Sequence, residues 1–299
     1  MIIMLLLALA LSTSTPPSLL KNTSELSQSF QQKCSNSISP QTENPHVMAS
    51  LICGEKLTDE ILKQNLVKTS LIHIFVISGS HLILLDELLS ILKIPVLLRF
   101  LLLGFYSLVV GWQPPAVRAL VALGVRLGFK KMRWNFPPDL LALIAGLITL
   151  TLFREWWQSN SLLMSWCAAL ALCWAPLLRI KNRFAAMLLS QLAIYLFMIA
   201  PLWGFGSLHP LSLLFNVCLG PAVSFILLPS AAISMVIPAL SFLFDSSLSL
   251  FSKLIAVMAE PISLNSASPP SLGLLWCWIL AWQLFFHGLR LRLYQGKEG

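Results

Sequence analysis

From Leu71 to Leu289 the apolar residues run in long continuous stretches and do not alternate with polar ones. A half-buried strand alternates, and a soluble domain carries roughly a quarter of its residues as Asp, Glu, Lys and Arg. Here that share is 11%. Hydrocarbon satisfies no backbone hydrogen bond, so a chain inside it must form helices or a closed barrel. Continuous runs favour helices, each needing about 20 residues to cross. The sequence therefore predicts an all-α, polytopic helical membrane protein with about 8–10 transmembrane or re-entrant helices, several broken by Pro or Gly.

Helices are expected near 71–92, 95–112, 115–128, 138–153, 161–178, 184–203, 209–228, 229–244 and 271–288, with Pro95, Pro115, Pro138, Pro201, Pro221 and Pro229 at starts, ends or breaks. Residues 115–128 are short for an upright span. Residues 245–262 hold Lys253 and Glu260 and fit either a poor span or an interfacial segment. Ahead of the apolar part, residues 1–11 read as a signal-like or weak anchor segment. Residues 12–47, rich in Ser, Thr, Gln, Asn and Pro, read as a solvated polar extracytoplasmic tail. Residues 48–70 read as one amphipathic lead-in helix, with Leu57, Ile61, Leu62 and Leu66 beside Lys63 and Lys68.

Basic residues orient the chain. Arg126, Lys130, Lys131 and Arg133 form one cluster, Arg179, Lys181 and Arg183 a second, and Arg290, Arg292 and Lys297 a third within the tail 290–299. Two expected helices separate the first pair of clusters and, if 245–262 does not span, four separate the second pair; these even numbers put all three in the cytoplasm and residues 12–70 outside. The net charge of +8 is then that of cytoplasmic loops rather than of a nucleic-acid surface. Cys34 and Cys53 share the outer segment, where a disulfide is permitted. Cys167, Cys173, Cys218 and Cys277 read as small core residues. No metal-ligand spacing occurs, and no cofactor is implied.

Three polar interruptions stand out. In HIFVISGSH, residues 73–81, an unbroken helix would place Ser70, His73, Ser80, His81 and Glu87 on one stripe. That stripe suits either a wet path or a helix-packing patch. Gly79 offers a bend or a close approach. Ser78 lacks the G-x-S-x-G setting of a nucleophile, and His73 and His81 are poorly spaced for a metal. In GWQPPAVRA, residues 111–119, Pro114 and Pro115 start a helix and Arg118 lies in its first turn. There the helix dipole opposes a cation. Arg118 therefore needs an anion, either a carboxylate such as Asp86 or Glu87 or a passing phosphate, unless it snorkels to headgroups. In residues 201–229, Gly204, Gly206, His209 and Pro210 make a turn, after which Asn216 and Pro221 interrupt an apolar run. Helix packing accounts for these as readily as function does.

In this order and spacing the three stretches resemble the competence domain of the ComEC/Rec2 family. The matching positions are Ile77, Ser78, Gly79 and His81; Gly111, Pro114, Pro115, Arg118 and Ala119; and Gln191, Pro201, Phe205, Gly206, Asn216 and Pro221. The lead-in from Met48 to Leu71 resembles the family's as well. The resemblance implies that residues 71–289 form the inner-membrane channel core for single-stranded DNA in natural transformation, with no enzymatic activity of its own. His73, Ser78, Gly79, His81, Arg118 and Asn216 would then line or gate the path, and Gly111, Pro114, Pro115, Gly206 and Pro221 would shape it. Implied partners are single-stranded DNA, membrane lipid, a DNA receptor, a helicase and a separate nuclease. Ser80 stands where the family usually has Leu, Ser70 where it often has Gly, and Arg154 in a turn that often contains Pro. Roughly sixty residues precede the resembling part, fewer than an OB-like domain and its helices need. No H-x-H-x-D-H motif of a metallo-β-lactamase-like domain occurs. A reduced member acting as a membrane scaffold or moving another substrate is the alternative, and an intramembrane enzyme the third reading.

Overall fold

The computed structural model describes residues 17–72, 79–173, 180, 182–203, 209–262 and 268–295. Among these the regular elements are all helical: α1 (Pro17–Asn36), α2 (Pro45–Cys53), α3 (Glu60–Lys68), α4 (Gly79–Ile91), α5 (Val96–Val109), α6 (Pro114–Lys131), α7 (Pro138–Leu152), α8 (Asn160–Leu172), α9 (Arg183–Leu202), α10 (Ser212–Val236), α11 (Ser241–Ala259) and α12 (Leu272–Gln295). Short 3₁₀ turns, Arg154–Gln158 and Pro238–Leu240, precede α8 and α11. Four stretches are long and apolar enough to cross a membrane: Phe184–Leu202, Ser212–Val236, Pro238–Ala259 and Leu272–Arg292. Their outward faces carry bare Leu, Ile, Val and Phe, among them Leu196, Phe225, Val257 and Leu284. Such faces belong against lipid, and the chain is a multi-pass helical membrane protein.

The chain divides into two compact units. The first joins Pro16–Leu120 to Phe205–Ser266. Its core is built from Val47, Met48 and Leu51 of α2, Leu62 and Leu66 of α3, Phe215, Leu219, Val223, Leu227 and Ala231 of α10, and Phe244, Leu248, Phe251 and Ile255 of α11. The α10 set recurs every fourth residue. On an ideal α-helix such a stripe drifts by about 40° per step. A π turn at Val223–Leu227 widens the helix there and keeps the stripe facing inward. It also lies between Pro221 and Pro229, each of which removes one backbone donor from the ladder.

Asp245 of α11 is matched from outside its helix. The Thr42 hydroxyl donates to it at 2.8 Å, the Glu43 N–H at 3.1 Å and the Asn44 amide at 3.2 Å.

The second unit holds Val121–Gly204 and Ala267–Gly299. Trp166 of α8 is buried and its ring covers Gly146 of α7 so closely that a Cβ there would overlap it. Phe197 of α9 stacks on Trp282 of α12 at 3.9 Å. Asp139, in the first turn of α7, pairs with Arg290 of α12 at 2.9 Å.

The structure corrects several expectations. Most of the segment 12–47 is not a solvated tail without helix: α1 occupies Pro17–Asn36 and packs on α5, with Phe30 edge-on to Phe105 at 5.7 Å. Segment 48–70 is not one helix. Gly54, at φ 73°, stops α2, and the Asp59 carboxylate starts α3 by accepting from the N–H groups of Ile61 and Leu62. The expected break near Pro229 is absent. Continuity runs to Val236, the break falls at Ile237–Leu240, and 245–262 is largely the span α11. Cys218 and Cys277 are exposed on their helices, whereas Cys167 and Cys173 are buried. Arg290 and Arg292 do not begin a tail: α12 runs on through them to Gln295, and Arg290 is ion-paired with Asp139. Residues 1–11, Arg179, Lys181 and Lys297 lie outside the described residues.

Candidate functional site

The described part of α4 begins at Gly79 and helix α6 begins at Pro114, and the two lie against each other there. A Cβ on Gly79 would lie 3.2 Å from Ala119 Cβ and 3.4 Å from the Pro115 carbonyl oxygen. Only a hydrogen fits that approach comfortably. The contact joins the Ser-Gly-Ser-His stretch to the Pro-Pro-Ala-Val-Arg-Ala stretch inside the first unit. His81, two residues after Gly79, is 2% exposed, and Arg118, one residue before Ala119, is 7% exposed. Pro114 and Pro115 suit a first turn because the N–H they lack has no partner within the helix there.

The turn before α6 has its own logic. α5 stops at Val109, the Gly111 N–H bonds Leu108 O at 3.3 Å, and the Trp112 N–H reaches back to Ser107 O at 3.1 Å. Gly111 at φ 82° and Trp112 at φ 50° are both left-handed. Glycine tolerates that conformation at no steric cost, and tryptophan does not. The Trp112 indole is anchored by donating to Thr23 O at 3.1 Å.

The stripe expected from Ser70 to Glu87 does not exist as drawn. Ser70 is left-handed at φ 59°, and the Leu71 N–H folds back to Leu66 O at 2.8 Å, which ends α3. Glu87 is exposed. Asp86, one of the two carboxylates suggested for Arg118, is ion-paired with Arg99 of α5 at 3.4 Å. Asn216 sits on α10 between the core residues Phe215 and Leu219. Its side-chain oxygen is buried and has no hydrogen-bond partner among the described residues. Pro221 is exposed and falls inside the helix. His73, Ser78 and Gly206 lie outside the described residues, as does the Ser80 side chain.

The sequence matches the family model described as Competence protein over residues 51–291, well over half of the chain. The chain belongs to the Competence protein family. The match is to a ComEC/Rec2-type competence domain. No curated protein and no solved structure matches. The competence domain so delimited contains Gly79, His81, Arg118 and Asn216, and it opens two residues before Cys53. A disulfide joins Cys53 to Cys34 of α1, with Cα atoms 5.8 Å apart.

Sequence reasoning passed over Gln31 and Gln113, whose side chains bridge to the α2 stop beside the competence domain's Arg118 helix. One signal was available: Ser27, Gln31 and Cys34 recur at helical spacing on α1.

Proposed function

We propose that this competence-family membrane protein is the inner-membrane channel core through which single-stranded DNA enters during natural transformation. One observation carries the reading: the close approach of Gly79 to Pro115 and Ala119, which sets the helices bearing His81 and Arg118 side by side. A polyanion cannot cross hydrocarbon, so its path must be wet and must offer cationic or donor groups. An arginine in the first turns of α6 offers a phosphate a guanidinium that can donate two bonds at once, and Pro114 and Pro115 have no N–H to add to it. His73, Ser78 and Asn216 complete the proposed path.

The disulfide Cys34–Cys53 supports an extracytoplasmic setting for α1 and α2, where thiols oxidise. The exposed Arg126, Lys130 and Lys131 at the end of α6 support a cytoplasmic setting for that end. A DNA receptor outside, and a helicase and a separate nuclease, are the proposed partners.

The test is uptake of labelled duplex DNA by cells lacking the gene. DNA should still bind the cell surface, but no labelled strand should reach a nuclease-protected compartment until the gene is restored. Unchanged transformation in the deletion strain refutes the proposal.

A further inference from the structure

We propose that α1 is a strap that fixes the first turn of α6, and that Gln31 and Gln113 are its positioning residues. Four contacts tie α1 to the segment leading into that turn. The Ser27 hydroxyl donates to Leu108 O at 2.7 Å, and the Trp112 indole donates to Thr23 O at 3.1 Å. Phe30 meets Phe105 edge-on. Gly111 lies so near Gln31 that a Cβ would come within 2.8 Å of both of its terminal atoms. Two further bonds run to one short piece of backbone, the end of α2. The Gln31 amide donates to Cys53 O at 3.0 Å and the Gln113 amide to Gly54 O at 3.1 Å. Consecutive carbonyls thus receive one donor from the strap and one from the residue just before Pro114. The Cys34–Cys53 disulfide closes the same assembly covalently.

The local backbone explains why a strap is needed. Residues 111 and 112 are both left-handed, and the second is a tryptophan, a conformation that persists only where the surroundings enforce it. Gln113 has its carbonyl in the first helical bond of α6, accepting from the Val117 N–H at 3.0 Å. A shift at Gln113 therefore moves the turn that carries Arg118 and rests on Gly79. The proposal relies on the DNA-channel reading only for its uptake measurement.

The structural arm uses the full chain in membranes, with Gly79→Cys and Ala119→Cys introduced together. Their Cβ atoms fall near the ~3.5–4.5 Å separation of a disulfide, so oxidant-driven crosslinking reports whether the α6 start is docked on α4. Gln113→Glu and Gln31→Glu keep size but turn a donor into an acceptor facing a carbonyl. Each should slow crosslinking roughly fivefold to tenfold, with membrane abundance and the Cys34–Cys53 disulfide retained. Gln113→Asn, one methylene shorter, is the milder variant to use if the charged one fails to accumulate. Crosslinking at the parental rate in abundant, correctly oxidised protein overturns the strap, whatever uptake does. Slowed crosslinking with unchanged DNA uptake upholds the strap and counts instead against Arg118 as a transport residue.

Discussion

The ion pair between Asp139 and Arg290 offers a quantitative test of the second unit. The two side chains are 7% and 12% exposed, with the Arg290 Nη1 atom 2.9 Å from Asp139 Oδ1. At that burial the screening that holds surface pairs to about 1 kcal/mol or less does not apply in full. Removing one partner of a buried pair leaves an uncompensated charge and costs about 3–5 kcal/mol. The two single substitutions should not be equal. In Asp139→Leu the guanidinium keeps, among the described residues, its contact with His287 Nδ1 at 2.7 Å, and it cannot shed its charge. In Arg290→Leu the lone carboxylate stays in the first turn of α7, where the helix dipole favours it. Asp139→Leu should therefore be the more damaging. The double variant should recover much of the loss, because two apolar side chains leave no buried charge. Denaturant unfolding of the purified protein in detergent, run as a double-mutant cycle, should give a coupling of about 2 kcal/mol or more. Single effects that add to within about 0.5 kcal/mol refute the reasoning.

Other outcomes follow from the same geometry. Gly146→Ala places a methyl inside the Trp166 ring, so melting should reveal a loss of about 1–3 kcal/mol, partly relieved by adding Trp166→Leu; no change in melting would contradict the packing. Replacing Cys34 and Cys53 together with Ser should remove about 3 kcal/mol of stability and shift the band on a non-reducing gel, and an unshifted band would mean that no disulfide had formed. Gly79→Leu should lower the amount of folded protein in the membrane far more than Gly79→Ala, because a lone Cβ asks Ala119 to give by only a few tenths of an ångström whereas the larger side chain must push Ala119 and Pro115 well apart. Equal abundance of the two would contradict the close approach of α4 and α6.

What the sequence made legible was local. The helix starts at Pro114 and Pro138 rest on one residue's own backbone preference and are visible in a single line of sequence, whereas the stop at Gly54 and the cap at Asp59, equally local, fall inside the stretch 48–70 expected as one helix. The apolar runs announce the spans for the same reason. What stayed hidden depends on partners far along the chain. Asp139 and Arg290 are 151 positions apart, and Thr42 and Asp245 are 203 apart; no periodicity says that they meet. Helix α1 escaped because its buried side is made of Ser27, Gln31 and Cys34 rather than Leu or Ile. Those residues dock by hydrogen bonds and a disulfide, neither of which raises hydropathy. The stripe drawn from Ser70 to Glu87 failed for a different reason: Ser70 turns left-handed, and nothing in a serine forecasts that.

The role proposed for Arg118, on the helix whose Pro115 and Ala119 lie against Gly79, is the passage of DNA. Its most direct test is entry of labelled DNA into cells whose chromosomal gene carries Arg118→Ala, beside Arg126→Ala on the exposed face of the same helix. The account predicts that Arg118→Ala abolishes entry at parental protein abundance while Arg126→Ala does not. Entry at the parental rate in the Arg118→Ala strain would contradict it.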